Sequence, residues 1–168
     1  METSPLRKDE IEPFVDELWL PARREMTTMR EYAIADDIRQ KGLTHHRSRL
    51  SDDDLITYLA RRERQFLGYV TAEVRTPTPF FQQVRECHIT EIFVRKDARR
   101  RGVAAALLDT AEDWGRAKDC EHLDLYVDRE NTAAKTLYEE EGYAVERYTM
   151  KKRLEGETSD ESDNETVR

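Results

Sequence analysis

Cysteine and long apolar runs are scarce in this sequence, and each scarcity excludes a class of protein. Cys87 and Cys120 are the only cysteines among 168 residues. They have no Cys-x-x-Cys spacing, so neither a zinc site nor a disulfide framework is indicated, and we expect two buried thiols. No run of about 18 apolar residues is present, so no transmembrane helix is predicted. The first residues do not resemble a secretory leader, and a cytoplasmic location is therefore expected.

Lysine is also scarce, and the positive charge does not form a broad basic surface. The chain has 7 lysines beside 21 arginines, and its net charge is −8. Residues 155–168 hold six acids and one base, so we expect a polar, acidic and disordered tail. The remainder, 1–154, is long enough for a single domain with its own core. General nucleic-acid binding is disfavoured, because it usually needs a broad basic surface.

Two helical segments are predicted before residue 50. Apolar residues recur at helical spacing between Ile11 and Trp19, which predicts a helix over 10–30 with an interruption or kink at Pro21. A patchier helical pattern covers 31–49, with Gly42 as a break.

From residue 55 onward the pattern changes to strands that alternate with helices. The predicted elements are strands over 55–60, 66–74 and 87–94, a helix over 103–118, a strand over 122–127, a helix over 131–141 and one or two closing strands within 143–154. Asn131 is the predicted N-cap of the last helix, and Gly142 is its stop. This order predicts an α/β or α+β domain with a mixed sheet.

A basic loop, Arg99-Arg100-Arg101-Gly102-Val103-Ala104, lies between a predicted strand and a predicted helix. The N–H groups at a helix N-terminus are unpaired and carry the positive end of the helix dipole, so they suit a phosphate group. Gly102 permits positive φ or the close approach of a ligand. By itself the pattern is also compatible with solvated arginines at a helix start. It is neither a Walker loop nor the glycine pattern of dinucleotide-binding proteins.

A second group of residues lies on one face of the last predicted helix. Asn131, Ala134 and Tyr138 stand at i, i+3 and i+7. Asn131 offers an amide at the helix start, and Tyr138 offers a phenol. The alternative interpretation is an amphipathic helix that packs its tyrosine with the hydroxyl at the surface.

Together the two segments resemble the GNAT superfamily of N-acetyltransferases. The acetyl-CoA loop of that family has the form Arg/Gln-x-x-Gly-x-Gly/Ala, which this chain carries as Arg99 to Ala104. The later family segment, Asn-x-x-Ala-x-x-Leu-Tyr-x-x-x-Gly-Phe/Tyr, corresponds to Asn131 through Tyr143. The resemblance covers about residues 54 to 150 and is poor over 1–50. It implies a mixed, mostly antiparallel central sheet with a parallel, splayed strand pair and flanking helices.

The resemblance implies acetyl-CoA as co-substrate and requires no metal. Backbone N–H groups of the basic loop would hold the pyrophosphate, and backbone groups of β-strand residues would pair with the pantetheine arm like an added strand. Arg99 or Arg101 would meet the ribose 3′-phosphate, and Asn131 would contact the cofactor arm. The candidate cofactor-binding residues are Ile92, Phe93, Val94, Arg99, Arg100, Arg101, Gly102, Val103, Ala104, Asn131 and Tyr138.

The resemblance also implies direct transfer to an amine, which needs a base because an ammonium group cannot attack. Glu91 is the candidate base, since it matches a position where many family members carry a catalytic carboxylate. The alternative is a glutamate that points to solvent or pairs with an arginine across the sheet. Tyr138 is the candidate general acid, which gives its proton to the departing thiolate.

The leading prediction is an acetyl-CoA-dependent N-acetyltransferase with a primary amine acceptor. The acceptor is a small-molecule amine, a protein N-terminus or a lysine, and neither nucleic acid nor membrane is an expected partner. A non-catalytic acyl-CoA-binding regulatory domain of the same fold is the alternative. A phosphate-binding protein unrelated to acetyl transfer is disfavoured by the second motif. The sequence leaves homodimer formation open.

Overall fold

The computed structural model of the protein describes residues 1–29, 33–76, 80 and 84–152. The predicted acidic tail over 155–168 lies outside these residues, as do parts of the predicted helix over 31–49 and of the loop at 76–79. No helix within the described ranges is both long enough and apolar enough to span a membrane.

A five-stranded mixed sheet forms the centre of the fold. The strands lie in chain order across the sheet, and the first four are antiparallel. The last pair is parallel, as expected for two strands joined by a crossover helix. The strands are β1 (Glu2–Pro5), β2 (Leu55–Arg62), β3 (Gln65–Arg75), β4 (Glu86–Val94) and β5 (His122–Leu125). The predicted fold class is confirmed.

Helices cover both faces of this sheet. They are α1 (Ile11–Phe14), a π-helical turn (Val15–Trp19), α2 (Leu20–Met29), α3 (Ile38–Arg49), α4 (Val103–Ala117) and α5 (Thr132–Glu140). Val70 and Ala72 of β3 pack in one apolar cluster with α4 and α5, whereas Tyr69 packs in another with α1, α2 and α3. The alternation of side chains along a strand produces these two faces.

The structure corrects two expectations about the N-terminal helices. The helix is not interrupted at Pro21 but continues to Met29, and a π-helical turn immediately precedes the proline. A proline lacks the N–H that would bond one turn back, and the wider turn accommodates this loss. Gly42 does not break α3. It lies inside the helix because the indole of Trp19 occupies the space where a side chain would be.

The strand predictions are wrong at both ends of the described chain. β1 was not expected, because four residues with a terminal proline carry too little pattern, and it forms by pairing with residues 58–61 of β2. Residues 143–152 were expected to begin the closing strands, but none is present there. Val145, Tyr148 and Met150 stay exposed, so this stretch lacks both a buried face and the strand partner that a ladder needs.

Candidate active site

The site begins where the parallel strands β4 and β5 separate. Their pairing runs only from Glu86 opposite His122 to Ile89 opposite Leu125, although β4 continues to Val94. The edge of Ile92, Phe93 and Val94 that faces away from β3 therefore has no strand partner among the described residues. This geometry agrees with the predicted splayed pair and leaves backbone groups available to an extended ligand.

A β-bulge sets the direction of the candidate base. Thr71 pairs with Glu91 and Ala72 pairs with Ile89, so Thr90 is an extra residue in β4. Bulges commonly redirect a side chain beside an active site. The Glu91 side chain consequently lies on the same face as Tyr69 and is only a quarter exposed.

Both oxygens of the Glu91 carboxylate accept hydrogen bonds. The Tyr69 hydroxyl donates to Oε2 at 2.7 Å, and the Arg23 guanidinium donates from Nη2 to Oε1. Burial raises the pKa of Tyr69 above its ordinary value, so the hydroxyl keeps the proton that it donates. The sequence alternatives for Glu91 were solvent or an arginine across the sheet, whereas its actual partner is an arginine of α2.

Several contacts hold Arg23 beside Glu91. Its guanidinium carbon lies 4.9 Å from the centroid of the Trp19 ring, which is a cation–π geometry, and its Nη1 lies 3.3 Å from Met26 Sδ. The side chain is 22% exposed, so it is partly accessible from solvent. These contacts place a positive charge at the candidate base.

The basic loop has the geometry of an anion cradle. Gly102 is the N-cap of α4 with φ of 76°, and Arg100 also has positive φ, 61°. Nothing lies within 4 Å of the position where a Cβ would stand on Gly102, so the space in front of the loop is open. The first N–H groups of α4 have no acceptor in their own helix. The loop can therefore accept an anion, and Arg100 and Arg101 are exposed beside it.

Arg99 has a different environment from its two neighbours. Its Nε donates to the Val94 carbonyl at 3.0 Å, and its Nη2 donates to both oxygens of Glu25 at 2.7 and 2.8 Å. This pair joins α2 to the beginning of the basic loop. Arg99 is thus engaged with a carboxylate, and its expected contact with the 3′-phosphate stays a prediction.

The second motif forms a helix start and a buried phenol. The Asn131 side chain accepts a hydrogen bond from the Ala134 N–H at 3.2 Å, which confirms the predicted N-cap of α5. Tyr138 is buried, with its ring 5.7 Å from that of Tyr143, and burial raises the pKa of its phenol. Tyr138 packs on the α4 face of the sheet, whereas Glu91 contacts Tyr69 on the other face.

A histidine contact joins the two parallel strands before they separate. His88 Nδ1 of β4 lies 3.0 Å from Asp124 Oδ1 of β5, and the His88 ring lies 5.0 Å from that of Tyr126. His88 is buried, whereas the side chains of Asp124 and Tyr126 are exposed, so the contact joins a buried imidazole to the surface. Within the described ranges, no group of three or more histidine, cysteine, aspartate or glutamate residues is arranged to hold a metal ion.

Sequence reasoning missed two residues that contact the candidate base and one that contacts the basic loop. Arg23 and Tyr69 contact Glu91, and Glu25 contacts Arg99, although the partners are 68, 22 and 74 residues apart. A local pattern cannot reveal such contacts. The only available signal was that α2 carries charged residues beside an apolar face.

The match to a protein family identifies the enzyme class. The profile of the acetyltransferase (GNAT) family matches residues 13–143, which is most of the chain. The protein belongs to this family. It is an acyltransferase.

Two curated relatives carry acetyltransferase names. The chain is 26% identical over 98 residues to the uncharacterized N-acetyltransferase YhfO of Bacillus subtilis. The aligned residues make up 58% of this chain and 64% of the Bacillus protein. The match thus spans less than two thirds of that relative. The chain is 27% identical over 139 residues to the N-terminal acetyltransferase B complex catalytic subunit NAA20 of Arabidopsis thaliana, covering 75% of this chain and 78% of that protein.

A solved structure shares the fold. The aminoglycoside N-acetyltransferase AAC(6')-Iy, in complex with the bisubstrate analog CoA-S-monomethyl-acetylneamine, superimposes with a TM-score of 0.72. The two chains are 20% identical, and the superposition covers 92% of this chain and 98% of the other. At this identity the likeness establishes the fold alone.

Proposed function

We propose that the protein transfers the acetyl group of acetyl-CoA to a primary amine, with Glu91 as base and Tyr138 as general acid. The observation that carries the proposal is the half-buried carboxylate of Glu91 on β4, beside the point where β4 and β5 separate. The acceptor is a small-molecule amine or a peptide amine. A sequence relative is named for protein N-termini, which favours a peptide amine, whereas the neighbour named for aminoglycosides shares only the fold.

The donor is proposed to lie along the loop and the free edge of β4. Acetyl-CoA supplies the acetyl group as a thioester. Backbone N–H groups of the loop from Arg100 to Ala104 bind the pyrophosphate, which the open space at Gly102 accommodates. Backbone groups of Ile92, Phe93 and Val94 pair with the amides of the pantetheine arm, and Asn131 lies at the start of the next helix.

The two side chains then divide the proton transfers. Glu91 takes one proton from the bound ammonium group, directly or through a water molecule, and releases it to solvent after turnover. The neutral nitrogen bonds to the thioester carbon as the carbon–sulfur bond breaks. Tyr138 donates its proton to the leaving sulfur and regains one from the attacking nitrogen. Burial raises the pKa of Tyr138, so the phenol is protonated at neutral pH and ready to donate.

The proposal is tested by replacing the base. The protein is incubated with acetyl-CoA and spermidine, an aminoglycoside or a short peptide, and release of free thiol is followed. We expect Glu91→Gln to lower kcat/KM about 100-fold and to remove the acidic limb of its pH profile, because general base catalysis contributes on this order. Glu73→Gln is the matched control, since Glu73 lies on β3 and pairs with Arg49 and Arg75.

Two outcomes would contradict this assignment. An unchanged pH profile in Glu91→Gln would remove Glu91 from the role of base. Tight binding of acetyl-CoA without thiol release across the whole panel would instead favour the non-catalytic regulatory domain.

A further inference from the structure

We propose that Arg23 determines acceptor specificity: its guanidinium occupies the position at Glu91 Oε1 that the ammonium group of the acceptor takes. The acceptor would then bind as a cation, in exchange for Arg23. This inference rests on the proposed function of Glu91 as base. It adds a residue from α2 that no motif of the sequence indicates.

The two donors to Glu91 differ in how easily they are displaced. Tyr69 is 1% exposed, and its ring makes an edge contact with Phe14 at 5.0 Å, so its hydroxyl is fixed on Oε2. Arg23 reaches Oε1 from a partly exposed side chain on the helix above. Because a base must meet the proton that it accepts, the substrate nitrogen needs one of the two oxygens. Oε1 is therefore the oxygen that the acceptor reaches.

The charge balance at Glu91 decides whether a protonated or a neutral acceptor can replace the Arg23 guanidinium. Removing Arg23 alone would leave a half-buried carboxylate without its counter-ion, which is costly in a protein interior. An ammonium group that arrives as the guanidinium departs keeps the pair neutral overall. A neutral acceptor offers no such replacement. The exchange therefore selects protonated amines over neutral nucleophiles.

Arg23 has contacts that can retain it after it leaves Glu91. Its guanidinium lies over the Trp19 ring and beside Met26 Sδ, and neither contact depends on Glu91. The titratable groups of α3 that face Arg23 are His45 and His46. Burial, together with the charges of Arg23 and Arg49, lowers the pKa of both imidazoles. Both are therefore neutral at neutral pH, and the cation at Glu91 is Arg23.

The test compares Arg23→Gln and Arg23→Lys with the natural protein, using the amine that gives the fastest thiol release. A fivefold change in an equilibrium constant corresponds to about 1 kcal/mol, which is the upper end of what a partly exposed ion pair contributes. We expect Arg23→Gln to lower the KM for the amine about fivefold, because the internal competitor is gone. Arg23→Lys keeps a cation and should stay near the natural KM. In Arg23→Gln the acidic limb of the kcat/KM profile should move to higher pH, since the carboxylate loses a neighbouring positive charge.

The controls separate this effect from a general structural one. Arg39→Gln removes another arginine ion pair, with Asp16, far from Glu91, and should change neither KM nor the pH profile. The Kd for acetyl-CoA, measured by calorimetry, should be the same in all variants. Thermal melting shows whether each variant is folded, and Arg23→Met gives a second neutral replacement if Arg23→Gln is not.

An unchanged or higher KM in both neutral variants would overturn the role of Arg23 and leave the proposed function intact. A protein that binds acetyl-CoA but acetylates no amine, with or without Arg23, would overturn the proposed function and this inference together.

Discussion

At the residue scale, the phenol of Tyr138 has the most sharply testable role. We expect Tyr138→Phe to lower kcat about 100-fold or more, because a positioned general acid contributes on this order. The Kd for acetyl-CoA should be nearly unchanged, since the ring keeps its packing in the apolar cluster of α4 and α5. Thiol release and calorimetry measure the two quantities.

The neighbouring tyrosine provides a matched control. In the part of the chain that the structure describes, the buried hydroxyl of Tyr143 has no hydrogen-bond partner, and burial raises its pKa as it does for Tyr138. Tyr143→Phe should therefore retain activity and should not destabilise the fold, because an unpaired polar group is removed. Equal loss of turnover and cofactor binding in Tyr138→Phe would make Tyr138 a packing residue instead of an acid.

The site residues that the sequence predicted are those whose geometry is set by residues next to them in the chain. Gly102 and Asn131 lie at helix starts, where the conformation of a few consecutive residues sets the geometry. Arg23 could not be found in this way, because its importance comes from a carboxylate 68 residues away. The role of Glu91 was predicted from the family resemblance, but its two donors were not.

At the element scale, Gly42 shows how packing between helices overrides local propensity. An alanine usually stabilises a helix interior relative to glycine by about 1 kcal/mol. Here a Cβ on Gly42 would lie 2.5 Å from Cζ3 of the buried Trp19 ring. We expect Gly42→Ala to lower the free energy of unfolding by about 1–3 kcal/mol, as overpacking does. Denaturant unfolding at equilibrium measures the change.

An exposed position of the same helix is the reference. Thr44 is exposed, so Thr44→Ala should change the free energy of unfolding by less than about 0.5 kcal/mol or raise it slightly. If Gly42→Ala were as stable as Thr44→Ala, the contact between α3 and Trp19 would not be tight.

The other element-scale differences have the same origin. Local pattern predicted the helical residues around Pro21 and the strand character after Tyr143, but it could not supply partners. β1 forms because β2 offers a free edge, whereas the stretch from 143 to 152 has no ladder beside it. Strand formation depends on the partner as much as on the segment.

At the scale of the whole molecule, the buried His46 links stability to pH. Its ring lies 4.9 Å from that of Phe14 and 5.4 Å from that of Trp19, and its Nε2 has no hydrogen-bond partner among the described residues. Burial lowers its pKa to about 3, with smaller contributions from nearby positive charges. Between that value and about 6.5, the unfolded chain binds a proton at His46 that the folded protein does not. The free energy of unfolding therefore loses no contribution at His46 above pH 6.5, and it decreases as the pH falls below that value.

The comparison with His46→Gln isolates this contribution. The free energy of unfolding of the natural protein should fall, relative to the variant, by up to about 1.4 kcal/mol for each pH unit between pH 6 and pH 4. Urea unfolding at several pH values measures the difference. His122→Gln, at an exposed position of β5, should not change the slope. Parallel curves for the natural protein and His46→Gln would show that His46 is protonated equally in both states.

The sequence alone determined the order of helices and strands between residues 55 and 141, the loop that suits a phosphate and the helix that carries Tyr138. These features depend on consecutive residues, so periodicity and motif spacing reveal them. Only the tertiary structure decided that Glu91 accepts hydrogen bonds from Tyr69 and Arg23. It also decided that Arg99 pairs with Glu25 and that Gly42 lies inside a helix. Each of these depends on two distant segments meeting across the sheet or between helices, and the free energy of such a contact is not encoded in either segment alone.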